Sequence, residues 1–89
     1  GEIITEEKLG MVDKAEQLLL DLGFHQVRVR IHGMMVRIEI EPAEFDKLMQ
    51  QEIREKITKE FKSYGFTYVT LDLMGYRTGS MNETLDIKK

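Results

Sequence analysis

At 89 residues the chain has room for one hydrophobic core, because a second would need roughly another 50 to 100 residues, so residues 1–89 are expected to form a single domain. Its 42% hydrophobic and 33% charged residues suit a globular fold and exclude intrinsic disorder. The absence of cysteine removes disulfides, thiolate nucleophiles, Cys-type zinc sites and iron–sulfur clusters, and a net charge of -3 argues against a nucleic-acid module held by phosphate attraction.

Thr5, Glu6 and Glu7 read as a helix start, a hydroxyl cap followed by two acids at the positive end of the dipole. Leu9, Val12, Ala15, Leu19 and Leu22 then recur at three- and four-residue spacing, so the pattern predicts a helix over about residues 5–22, stopped by Gly23. Val27, Val29 and Ile31 alternate with Arg28, Arg30 and His32, and after Gly33 the residues Val36, Ile38 and Ile40 alternate with Met35, Arg37, Glu39 and Glu41. This is a β-hairpin with a very short connection. Pro42 suits a first helical position, and Phe45, Leu48, Met49, Ile53, Ile57, Phe61 and Tyr64 form the stripe of a longer helix over about residues 43–64. Gly65 ends it, and Tyr68 to Leu73 supplies a third strand with Val69, Leu71 and Leu73 on its dry side.

Gly23-Phe24 followed by alternating apolar residues up to Gly33 is echoed by Gly65-Phe66 up to Gly75, a pattern that any helix-to-strand corner in a two-layer domain selects. The element order is αββαβ. A right-handed crossover makes the third strand parallel to the second, giving a three-stranded mixed sheet in order 1-2-3. The fold class is therefore α+β, a two-layer sandwich with two helices on one face and an open polar face opposite. Ile31, Val36, Ile38, Phe45, Leu48, Ile53, Ile57, Val69 and Leu71 are the expected core. Residues 75–89 read as a loop and C-terminal tail.

The open face should carry Arg28, Arg30, His32, Arg37, Glu39, Tyr68, Thr70 and Asp72. Arg28 and Arg30 lie side by side on one strand and can present two guanidinium forks to a phosphate or carboxylate, and the competing expectation is cross-strand ion pairing with Glu39 and Asp72. Gly75 to Glu83, with two glycines, Arg77, two hydroxyls and an amide, reads as a surface loop or as a turn able to cradle an anion. His25 and His32 stand at an odd separation, which places them on opposite faces and argues against a shared metal. Ser80, His32 and Asp72 lack the nucleophile elbow that a hydrolytic triad needs, and no catalytic residue is assigned. Met34 and Met35 sit at the hairpin turn, where apolar side chains are hard to bury. No apolar run approaches the roughly 20 residues needed to cross a bilayer, so the expectation is a soluble, cytoplasmic protein without a membrane partner, and Gly1 in place of Met reads as the start of a fragment.

AEQLLLDLGFHQVRVRIHGMMVRIEIEP (residues 15–42) and YGFTYVTLDLMGYRTGSMNE (residues 64–83) resemble the C-terminal domain of the ATP-dependent sacrificial sulfur transferase family, LarE, of the PP-loop pyrophosphatase superfamily. The resemblance covers nearly the whole chain. It implies an accessory, substrate-side domain of an enzyme that activates a carboxylate of a pyridinium dicarboxylate mononucleotide with ATP and transfers sulfur to it in nickel-pincer cofactor synthesis. ATP and magnesium, the Gly-rich ATP loop and the sulfur-donor cysteine are implied for an N-terminal PP-loop domain of the same protein, which is the expected partner together with the mononucleotide substrate. By the same resemblance Arg28, Arg30 and Arg77 are the candidate contacts to substrate phosphate and Glu16 is a candidate site acid; Ser80 joins the phosphate contacts because the glycine after the third strand lets the chain turn back so that Arg77 and Ser80 approach that face. Met34 and Met35 depart from the more polar turn of the family. The rival readings are an open-sheet binding module of the RNA-recognition type, which needs more stacking aromatics than Tyr68 alone, and a homo-oligomerisation module that buries the polar face.

Overall fold

The computed structural model describes residues 6–76. Their elements are α1 (Glu6–Asp21), β1 (Val27–His32), β2 (Met35–Ile40), a 3-10 turn (Pro42–Glu44), α2 (Phe45–Met49), α3 (Gln51–Ser63) and β3 (Tyr68–Leu71). β2 is the central strand, antiparallel to β1 and parallel to β3, so the sheet is mixed with order 1-2-3. The fold is α+β, as the alternation and the crossover require.

One face of the sheet is dry. Val29, Val36, Ile38 and Ile40 are buried there, and Ala15 and Leu19 of α1, Leu48 of α2, and Ile57 and Phe61 of α3 close over them. Of the expected core, Val36, Ile38, Leu48 and Ile57 are buried, while Ile31, Phe45, Ile53, Val69 and Leu71 are partly buried at its margin. Leu9, expected in the α1 stripe, is exposed: at 3.6 residues per turn it lies roughly 80° to 120° around the axis from Leu19 and Ala15. Thr5, the expected cap, lies outside the described residues.

The two helix-to-strand corners are built alike. Gly23 N–H donates to Leu20 O and Phe24 N–H to Leu19 O, and Gly65 N–H donates to Lys62 O and Phe66 N–H to Phe61 O. Both glycines have positive φ, so each corner is a Schellman cap whose following phenylalanine folds back onto the last helical turn. Phe24 and Phe66 are both buried. The repeated sequence is the signature of this cap.

The long helix expected over residues 43–64 is corrected to three pieces. Pro42 opens a 3-10 turn, α2 runs only to Met49, and Gln50 adopts extended backbone (φ -59°, ψ 138°) before α3 begins. The physical reason is periodicity. On one continuous helix Leu48 and Ile57 would face roughly opposite sides, whereas the break at Gln50 turns both into the core. The helical layer therefore holds three helices and not two. β3 is also shorter than expected, and Leu73, placed on its dry side by alternation, is 80% exposed because the chain leaves the sheet at Asp72.

Phe61 is fully buried, with its ring centre 5.9 Å from that of Tyr64 and 6.1 Å from that of Phe66. Phe61→Ala should cost about 3 to 5 kcal/mol, out of a total stability of roughly 5 to 15 kcal/mol for a domain. A urea melt of the variant that kept the wild-type midpoint would contradict this packing.

Candidate functional site

The face turned away from the helices carries side chains in rows fixed by strand register. His32, Met35 and Tyr68 form one row and Arg30, Arg37 and Thr70 the next. Arg28 and Glu39 form the third, which Asp72 extends by donating its N–H to Ile38 O at 2.9 Å.

Glu39 lies directly across from Arg28 but does not pair with it. Its Oε2 accepts a hydrogen bond from Arg37 Nη2 at 3.2 Å and lies 3.6 Å from Arg30 Nε. Arg37 Nε is in turn 3.6 Å from Asp72 Oδ2. The Glu39 and Asp72 side chains are only 13% and 21% exposed, so their attraction for the arginines is less screened than at an open surface. Arg30 and Arg37 thus follow the ion-pairing expectation. Arg28 does not: among the described residues it has no carboxylate partner, and its Cζ lies over the Tyr76 ring, 5.8 Å from the ring centre.

Tyr76 reaches this position through a built turn. Asp72 Oδ1 accepts the Met74 N–H at 2.8 Å, and Asp72 O accepts the Gly75 N–H at 3.0 Å. Gly75 has φ +81° and sits so close to the end of β2 that a Cβ would stand 2.8 Å from Ile40 O and 3.0 Å from the Pro42 ring. The chain then rejoins β2, with Tyr76 N–H donating to Ile40 O at 2.7 Å. Tyr76 was not among the sequence candidates. The signal for it was there, an acid able to form a local turn, a glycine three residues later, and an aromatic after that.

Glu16 has a visible structural task. Its Oε2 accepts the Val29 N–H at 3.1 Å, which satisfies a donor on the free edge of β1, where an unpaired backbone group is otherwise a liability. Periodicity could not show this contact, since it joins a helix side chain to a strand main chain. His25 lies beside Glu44, with Nδ1 3.3 Å from Glu44 Oε2 and its backbone N–H donating to Oε1 at 3.2 Å, while His32 is in the outer row of the open face. Met35 joins that row, and Met34 is 47% exposed in the turn. Arg77 and Ser80 lie outside the described residues. The structure therefore brings Arg28 and Arg30 onto one face, adds Tyr76 to it, and places Glu16 at the edge of the same strand. No helix among the described residues is long and apolar enough to cross a membrane.

No family model matches the chain. Two curated proteins align with it over 85 residues, 96% of its length: a Synechocystis protein described as uncharacterized, at 44% identity, and the pyridinium-3,5-bisthiocarboxylic acid mononucleotide synthase of Lactiplantibacillus plantarum, at 40%. The chain is related in sequence to this synthase. It spans about a third of the length of the curated relatives it matches, 32% and 30% respectively.

Gly75→Ala should cost about 1 to 3 kcal/mol, from the left-handed backbone and the collision with Ile40 O. Thermal melting of the variant measures the loss, and an unchanged midpoint would mean that the turn is not held as described.

Proposed function

We propose that this chain is the substrate-side domain of an ATP-dependent sulfur transferase acting on a pyridinium dicarboxylate mononucleotide in nickel-pincer cofactor synthesis, and that its open sheet face holds the substrate phosphate. The observation that carries the reading is Arg28, a guanidinium on a polar face with no carboxylate of the described residues to neutralise it. The relation to a pyridinium-3,5-bisthiocarboxylic acid mononucleotide synthase supports the substrate class.

The chemistry follows from the charges. A phosphate near Arg28 accepts charge-assisted hydrogen bonds from a planar fork of donors. Arg30, two positions along the same face, adds positive potential, although Glu39 draws on it. Arg77 follows Tyr76 directly in the chain and is assigned with Ser80 to the same phosphate, and Glu16 is kept as a candidate acid in addition to its contact with Val29. Holding the phosphate on this face orients the ring and its carboxylates toward a neighbouring domain.

ATP and magnesium are assigned to that other domain. Among the described residues no strand leads through a glycine-rich loop into a helix N-terminus of the kind that cradles a triphosphate, and the chain has no cysteine to donate sulfur. Its contribution is binding and orientation. The N-terminal PP-loop domain of the same protein supplies activation and sulfur transfer in this reading.

Arg28→Ala in the full-length protein should weaken binding of nicotinic acid mononucleotide, a monocarboxylate probe that carries the same kind of ribose phosphate as the proposed substrate, by roughly 10- to 150-fold, the equivalent of about 1.5 to 3 kcal/mol for a lost charge-assisted contact. Calorimetric titration reads this directly, and the melting temperature should barely move because Arg28 is exposed. Normal binding together with early melting would make Arg28 a structural residue and end the assignment.

A further inference from the structure

The three open-face arginines are held in two different ways. Arg30 and Arg37 are held by carboxylates, which fix them and at the same time reduce the charge they would offer to an anion. Arg28 is held by the ring of Tyr76. A ring attracts a guanidinium through its quadrupole, carries no net charge and consumes none of the hydrogen-bonding capacity that carboxylates use. From this contrast we infer that Tyr76 is a positioning residue of the anion site: it restrains Arg28 without neutralising it, so that the guanidinium meets an anion already oriented.

Two further observations support the assignment. First, the ring is placed by main-chain structure. The Asp72 turn, the close packing of Gly75 on Ile40 O and Pro42, and the 2.7 Å hydrogen bond from Tyr76 N–H to Ile40 O fix the backbone beneath the ring. Second, Glu39 is the direct register partner of Arg28, yet its carboxylate is engaged diagonally by Arg30 and along its own strand by Arg37. The nearest acid is thereby kept off Arg28, and the ring takes its place. A long, exposed side chain loses rotamer freedom when it binds, and restraining it beforehand removes part of that loss.

The inference rests on the anion-site reading above, and a double-mutant cycle separates the two. Titrations of the full-length protein with inorganic phosphate and with nicotinic acid mononucleotide would compare wild type, Tyr76→Phe, Tyr76→Leu, Arg28→Ala and the double variant Arg28→Ala/Tyr76→Leu. Because an exposed cation–π contact is modest, Tyr76→Leu should weaken binding by about two- to fivefold while Tyr76→Phe, which keeps the ring, stays near wild type. In the Arg28→Ala background Tyr76→Leu should have no further effect, a coupling that a merely structural role would not produce. Wild-type affinity for Tyr76→Leu, or an equal loss with and without Arg28, would overturn the positioning role while leaving the anion site standing. No effect of Arg28→Ala would instead remove the anion site itself, and the inference with it.

Discussion

The pairing of β2 with both of its neighbours is the constraint on which the rest depends. Side chains alternate strictly along a strand, so a slip of one residue on β2 would drive Arg37 and Glu39 into the core and turn Val36, Ile38 and Ile40 out to water. The cost of burying two charges fixes the register from one side and the apolar area of three β-branched residues fixes it from the other. Once it is fixed, every row of the open face is determined, including the placement of Glu39 beside Arg37 of its own strand and the arginines of β1.

From that placement the electrostatics follow. A single enclosed carboxylate serves Arg30 and Arg37, and Asp72 stands next to Arg37. Among the described residues the face carries three arginines and two acids, and the excess falls on Arg28, the residue that meets a ring in place of an acid. The same economy appears at the edge of β1, where Glu16 satisfies a main-chain donor of the very strand that carries Arg28 and Arg30. A chain that is acidic as a whole thus gathers, among its described residues, more arginines than acids on this face.

Much of this was legible in the sequence because it rests on short periods. The alternation in Val27 to His32 and Met35 to Ile40 gave the hairpin, its dry face and the arginine row, and the Gly-Phe pairs at both corners marked the Schellman caps. The break at Gln50 was not legible, since neither proline nor glycine stands there and the apolar stripe reads through it. Only the demand that Leu48 and Ile57 face the same sheet reveals the interruption. Alternation also carried the reading of β3 too far, to Leu73, because the Asx turn at Asp72 depends on a side chain bonding to main chain. Tyr76, and the contact of Glu16 with Val29, escaped for a related reason: each side chain acts on a residue distant in sequence, through a contact that no spacing rule encodes.

The central claim is that the open sheet face is the anion-binding side of the domain and that Arg28 is its contact. A crystal structure of the full-length protein with nicotinic acid mononucleotide tests it most directly. The account predicts the phosphate on the open face, within hydrogen-bond distance of the Arg28 guanidinium, with Arg30 and Arg37 still paired to Glu39. A phosphate bound elsewhere while Arg28 points into solvent would contradict it.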